Sequence, residues 1–347
     1  MELWKRLDQT KKPIVLYGMG NGADKIIDIL NKRGVSVAGV FASDDFVRHQ
    51  NFRGFTVKSY HELCDELGEM VVLVAFGTQR KEVLENILRI AREQEVYVPD
   101  VPVIGNALFT EEFLKSHRNE FEKVYNLLSD NRSKEVFENI IFGKLTGEIH
   151  YLLKAEDRPQ DCKNLLPFSD DEVFLDLGAY TGDTVMEFIQ DHPQYNKIIA
   201  VEPDFKNCKK CKENLRGFSN IQIVNACIDA NEGERCFLMD GGRKSASLSG
   251  GGIAIPAVSV DALMQNERVS YIKMDVEGME REALMGAKST LLRWRPKMLV
   301  SAYHRSEDLF LLPLLVKEMV GEFDLYLRHF PYLPAWDTNF YFNLLKL

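Results

Sequence analysis

The chain has 347 residues, with 43 Lys+Arg against 52 Asp+Glu and a formal net charge of −9. That length accommodates two domains, and 45% hydrophobic with 27% charged residues describes a packed globular protein rather than a disordered one. The acidic balance disfavours nucleic acid as a partner, no apolar run reaches a membrane span of ~20 residues, and six scattered cysteines make no disulfide scaffold.

The amino-terminal residues lack the apolar core of a signal peptide, so a cytoplasmic protein with reduced thiols is expected. Residues 13–17 form an apolar run ending at Gly18, Gly20 and Gly22, and an amphipathic helical pattern follows. Residues 35–41 and 71–76 read as two further strands, the latter apolar enough to be buried on both faces. Strand, helix, strand in this order predicts a small doubly wound α/β domain over 1–105. Its Gly18-Met19-Gly20-Asn21-Gly22-Ala23 follows a strand and opens a helix, as a dinucleotide fingerprint does. Asp44 or Asp45 at the second strand end, and Gly77 after the third, could line the same nucleotide crevice.

Residues 106–168 are rich in Glu, Lys, Asn and Leu without a β run and read as a helical linker. From 169 to 347 a second alternation begins, with strands expected at 173–177, 198–201, 221–226, 236–239, 271–274, 298–302, 323–327 and 339–344. Its first strand runs through Asp176 into Gly178-Ala179-Tyr180-Thr181-Gly182, where glycines allow a tight turn and a close ligand approach. The next ends in Glu202-Pro203, placing a carboxylate where doubly wound sheets grip ribose hydroxyls; the bland alternative is a helix-capping acid. Asn225 and Ala226 end the third, where an adenine edge could sit, and the fourth delivers Asp275 and Glu277. Ligands in open α/β sheets collect at the carboxyl ends of strands, so these residues describe one crevice.

The runs DLGAYTG, VEP and KMDVEGME, with the later GA…LL…RP, resemble the FkbM family of S-adenosylmethionine-dependent methyltransferases from about Asn126 onward. The resemblance implies a class I methyltransferase fold with a seven-stranded sheet, S-adenosylmethionine as cofactor, and O-methylation of a hydroxyl on a sugar or other small metabolite. It implies that Asp176, Gly178 and Gly182 hold the methionine end of the cofactor and Glu202 its ribose. The first domain resembles the Rossmann-like domains attached to sugar-modifying enzymes, which implies nucleotide or nucleotide-sugar handling without identifying a ligand.

An alcohol nucleophile must lose its proton, and the candidate bases are Asp275, Glu277 and His304. In the polar stretch 304–308, His304 could equally be a surface residue. No recognised ligand spacing supports a metal, so metal-free catalysis is expected. Cys208-Lys209-Lys210-Cys211 is half a zinc pattern without a second half, better read as thiols on a helix. The glycine-rich 241–252 reads as a flexible loop, or as a lid carrying Arg243 and Lys244. A nicotinamide-dependent oxidoreductase, or a non-catalytic nucleotide-binding protein, is the alternative function. The sequence leaves homo-oligomerisation open.

Overall fold

The computed structural model describes residues 1–43, 47–238, 245–247 and 253–345. Asp44 and Asp45, Arg243 and Lys244 therefore lie outside the described residues. Three of the four strands of the first sheet match the sequence reading: Val37–Phe41, Ile14–Tyr17 and Val71–Val74 lie in that order, all parallel. The fourth, Glu95–Tyr97, continues the sheet beyond Val71–Val74 and was not foreseen. At three residues with a charged start it carries too little pattern to register as a strand.

Helices Glu111–Ser116, Arg118–Leu127, Asn131–Thr146, Ile149–Ala155 and Pro159–Cys162 occupy the stretch read from the sequence as a helical linker. The longest is capped at its start by Asp130, whose side chain accepts from Ser133 N, and closed by left-handed Gly147. The linker also pairs with a sheet. Leu128 bridges Leu325 and Glu156 bridges His329, so it covers an edge strand that would otherwise present unpaired backbone.

That edge belongs to a seven-stranded sheet in the order Asp324–His329, Thr338–Asn343, Lys297–Ser301, Tyr271–Met274, Val173–Leu177, Lys197–Val201, Ile221–Val224. Thr338–Asn343 runs antiparallel to the other six strands, which share one direction. All five residues of Val173–Leu177 are buried, as a central parallel strand covered on both faces requires. The expected strand at 236–239 is not in this sheet. Gly233–Leu238 instead joins Ser245–Ser247, Ile253–Val258 and Cys227–Ile228 in a separate small sheet, where antiparallel pairing links sequence neighbours through short connections.

The two larger sheets meet at their carboxyl edges. Thr78 and Leu333 exchange backbone hydrogen bonds at 2.8 and 2.9 Å, and Ile104 N donates to His304 O at 3.0 Å. Lys25, on the helix Asn21–Lys32, donates to the carbonyls of Pro102 and Val103 and so fixes the segment that carries Ile104.

Candidate active site

The carboxyl ends of four adjacent parallel strands, 173–177, 197–201, 221–224 and 271–274, bring the predicted residues of the second half to one edge. Gly178 needs to be glycine for two reasons. Its φ is +87°, and a Cβ there would lie 1.8 Å from Asp275 O. The close approach locks the first strand's loop to the fourth strand's end. Gly182, at φ +85°, starts the helix Asp183–Asp191, and its missing Cβ makes room for Leu215 and Cys211. Cys208 and Cys211 are accordingly buried on the helix Phe205–Leu215, and burial pushes the Cys211 thiol up to about 12. These thiols pack.

Glu202 ties the loop to the second strand. Its carboxylate accepts from Tyr180 N at 2.9 Å through Oε2 and from Asp204 N at 2.8 Å through Oε1. Asn225 donates from Nδ2 to the carbonyls of Glu202 and Pro203, which buttresses that strand end, while Ala226 is buried in the core. Thr181 O accepts from Asn214, and Ala179 is buried. Asp176 is fully buried beneath the loop, where Lys273 Nζ lies 3.2 Å from its Oδ1 and donates to Gly178 O. Burial raises the Asp176 carboxyl above its ordinary value. Burial also works against the charged form of Lys273, yet Asp176 and Asp275 hold it above its ordinary value.

His304 is a core histidine rather than a surface one, only 1% exposed. Its Nε2 lies 3.6 Å from Asp275 Oδ1 and 3.7 Å from Glu277 Oε2, and its Nδ1 lies 3.1 Å from Glu280 Oε1. Burial alone would lower its pKa, but Glu280, Asp275 and Glu277 together raise it to about 9. Tyr303 donates its hydroxyl to Asp275 Oδ1 at 3.0 Å. Burial opposes ionisation of Asp275, while Lys273, His304 and Tyr303 bring its carboxyl below the ordinary range.

Glu280 is the functional candidate that the sequence reading missed. It is buried, and its Oε1 accepts from Val276 N and Gly278 N. Its signal was present as the third acid in Asp275-x-Glu277-x-x-Glu280, on the first residue of the helix Glu280–Met285. Asp275, Glu280 and His304 each offer one donor atom, and these atoms all lie within 4.8 Å of one another. Chain spacing could not reveal this cluster, because His304 reaches it from the next strand.

Three non-glycine residues at this edge hold left-handed backbone: Tyr180 at φ +47°, Glu277 at +53° and Asp337 at +66°. Such strain, of order 1–3 kcal/mol each, persists where surrounding structure over-determines a conformation and concentrates at functional sites.

Three glycines at the edge of the first sheet are closely packed, while a Cβ at Gly20 would meet nothing within 4 Å. A Cβ at Gly22 would meet Ala75 O, at Gly18 it would meet Phe76, and at Gly77 it would lie 2.0 Å from Trp336 Cζ3. The Gly77 position thus faces an aromatic side chain from the seven-stranded sheet's own connecting loop.

Residues 176–334 match the model of the methyltransferase FkbM domain. The chain carries this domain over that stretch, as its sequence motifs suggested. It is 26% identical over 149 residues to the 2-O-methyltransferase NoeI of Sinorhizobium fredii (strain NBRC 101917 / NGR234), an alignment covering 36% of this chain and 61% of that protein. The chain thus spans less than two thirds of that relative. The crystal structure of methyltransferase FkbM from Methylobacillus flagellatus KT shares the fold, with TM-score 0.72 and 22% identity over 95% of this chain and 90% of that one. Among the described residues, no helix is long and apolar enough to cross a membrane.

Proposed function

We propose that the chain transfers a methyl group from S-adenosylmethionine to a hydroxyl oxygen of a small-molecule or carbohydrate acceptor. The observation that carries this reading is the meeting of the Gly178–Gly182 loop, Glu202 and the Asp275–His304 pair at one edge of a parallel sheet. The name of the 2-O-methyltransferase relative supports oxygen as the target. The oxidoreductase alternative receives no comparable support.

The residues suit this cofactor. Asp176 is ion-paired with Lys273 beneath the loop, and the part-exposed carboxylates of Asp275 and Glu277 give the edge a negative character that favours a cationic ligand. Glu202 presents a carboxylate at the strand end where a ribose diol is gripped. When bound, the cofactor supplies a methyl group already activated by its sulfonium.

The protein's part is to align the acceptor oxygen with that methyl, exclude water and receive the proton. In this reading Asp275 or Glu277 receives it, since the carboxylates that raise His304 to about 9 leave that imidazole protonated near neutral pH. Ile104 stands against Gly278, where a Cβ would come within 2.9 Å of it, and shields the Glu277 loop from the first sheet's side. We read residues 1–105 as a Rossmann-like unit, 106–168 as the linker and 169–347 as the methyltransferase unit. In this reading the first unit packs against the catalytic loops. Incubation with methyl-labelled S-adenosylmethionine and a panel of glycans and small alcohols tests the proposal. Transfer to an oxygen with release of S-adenosylhomocysteine is expected, and absence of cofactor binding would remove it.

A further inference from the structure

We propose that Asp275, Glu280 and His304 together bind one divalent transition-metal cation. This rests on the methyl-transfer reading for its purpose, though not for its geometry. Two carboxylates and one imidazole converge from two neighbouring strand ends, with candidate donor atoms within 4.8 Å of one another. Ligands bound at about 2.0–2.3 Å around one ion stand roughly 3–4.5 Å apart, so modest side-chain adjustment closes the set.

A second observation points the same way. Glu280 is 1% exposed, and its Oε2 has no hydrogen-bond partner although Oε1 is held by two backbone amides. His304 Nδ1 likewise lacks a directed hydrogen bond. A buried carboxylate oxygen left without a donor costs free energy, and a cation satisfies it. The site also has an entry path, since the Asp275 side chain is 34% exposed and that of Glu277 47%. Imidazole beside carboxylates suits Mn²⁺ or Zn²⁺ better than Mg²⁺ or Ca²⁺, which prefer all-oxygen sets. A cation there would polarise an acceptor hydroxyl, and Glu277, outside the ligand set, is the carboxylate left to take its proton.

The test uses the full chain freed of metal by a chelator and titrated with Mn²⁺ followed by electron paramagnetic resonance, and with Zn²⁺ followed by calorimetry. One ion per chain is expected. Binding should weaken at least tenfold in Glu280→Gln and in Asp275→Asn, and persist in Glu277→Gln. Should Glu280→Gln fail to fold, Asp275→Asn, at the open rim, decides alone. Absence of stoichiometric binding at millimolar metal, or undiminished binding in the folded variants, overturns the proposal. S-adenosylhomocysteine titrated into the same samples reports on the cofactor reading separately, so the two can fail independently.

Discussion

The backbone amide of Tyr180 donates to Glu202 Oε2 at 2.9 Å, so the glycine loop is closed by the carboxylate that ends the neighbouring strand. The other oxygen of Glu202 accepts from Asp204 N, and Asp204 in turn caps the helix Phe205–Leu215 through Asn207 N. One buried acid thereby organises a loop, a strand end and a helix start. A ribose diol donating to this carboxylate would meet a group whose direction is already set, which reduces the ordering cost of binding.

Replacing Glu202 with alanine should weaken S-adenosylhomocysteine binding by roughly 10–100-fold. Hydrogen bonds to a charged group contribute about 1.5–3 kcal/mol, and 1.4 kcal/mol is tenfold. Calorimetric titration checks this, with thermal unfolding as the control for loop collapse. Unchanged affinity in a folded variant would take Glu202 out of the cofactor site.

Gly178→Ala and Gly34→Ala form a matched pair. Both positions have positive φ, +87° and +72°, but a Cβ meets Asp275 O at 1.8 Å in the first and nothing within 4 Å in the second. Backbone strain of order 1 kcal/mol or more is common to both, whereas only Gly178→Ala must also push apart two strand ends. Denaturant unfolding should therefore show a clearly larger loss for Gly178→Ala, together with lost cofactor binding that Gly34→Ala keeps. Equal losses would mean that the loop yields freely.

The strand ends of the second half were legible because a parallel strand buried on both faces leaves a near-continuous apolar run, and Val173–Leu177 and Tyr271–Met274, each broken only by one member of the Asp176–Lys273 pair, stand at the predicted residues. Glu95–Tyr97 was not legible, being short, edge-placed and half polar. His304 illustrates a different limit. Its sequence neighbours are polar, yet it is buried because Ile104 and Glu280 close over it, and both contacts come from distant parts of the fold. The fingerprint at Gly18–Gly22 shows the reverse: the pattern is real, but Ala75 and Phe76 explain two of its glycines through close packing.

Asp130 links the linker to the edge strand and gives stability a definite pH dependence. It accepts from Ser133 N at 2.7 Å and from Arg328 Nη2 at 2.6 Å. Burial works against its charge, but Arg328 and Ser133 hold the carboxyl below its ordinary value of 3.8. A depressed folded value means that the contribution is present above pH 3.8 and is lost as pH falls through the lower folded value. Asp130→Asn should cost about 1–2 kcal/mol at pH 7. The gap in melting temperature from the parent should narrow as pH falls below 4. A gap independent of pH would assign the effect to packing.

Gly77 and Trp336 offer a direct test of what the first sheet's crevice is for. A Cβ on Gly77 would lie 2.0 Å from Trp336 Cζ3, and the neighbouring Thr78 and Leu333 are already bonded in both directions, so the indole cannot retreat without breaking that pairing. Gly77→Ala should cost about 1–3 kcal/mol by overpacking. In a Trp336→Ala background the same change should cost almost nothing, giving a coupling of about 1–3 kcal/mol in the double-mutant cycle. Thermal unfolding of the four proteins measures it. A nucleotide crevice would behave differently: Gly77→Ala would then abolish binding of a nucleotide probe whether or not Trp336 is present, and the stability costs would add. Strong coupling without nucleotide binding would show that Gly77 is glycine to seat an indole, and that the first sheet's carboxyl edge is a docking face for the loop following Asp324–His329.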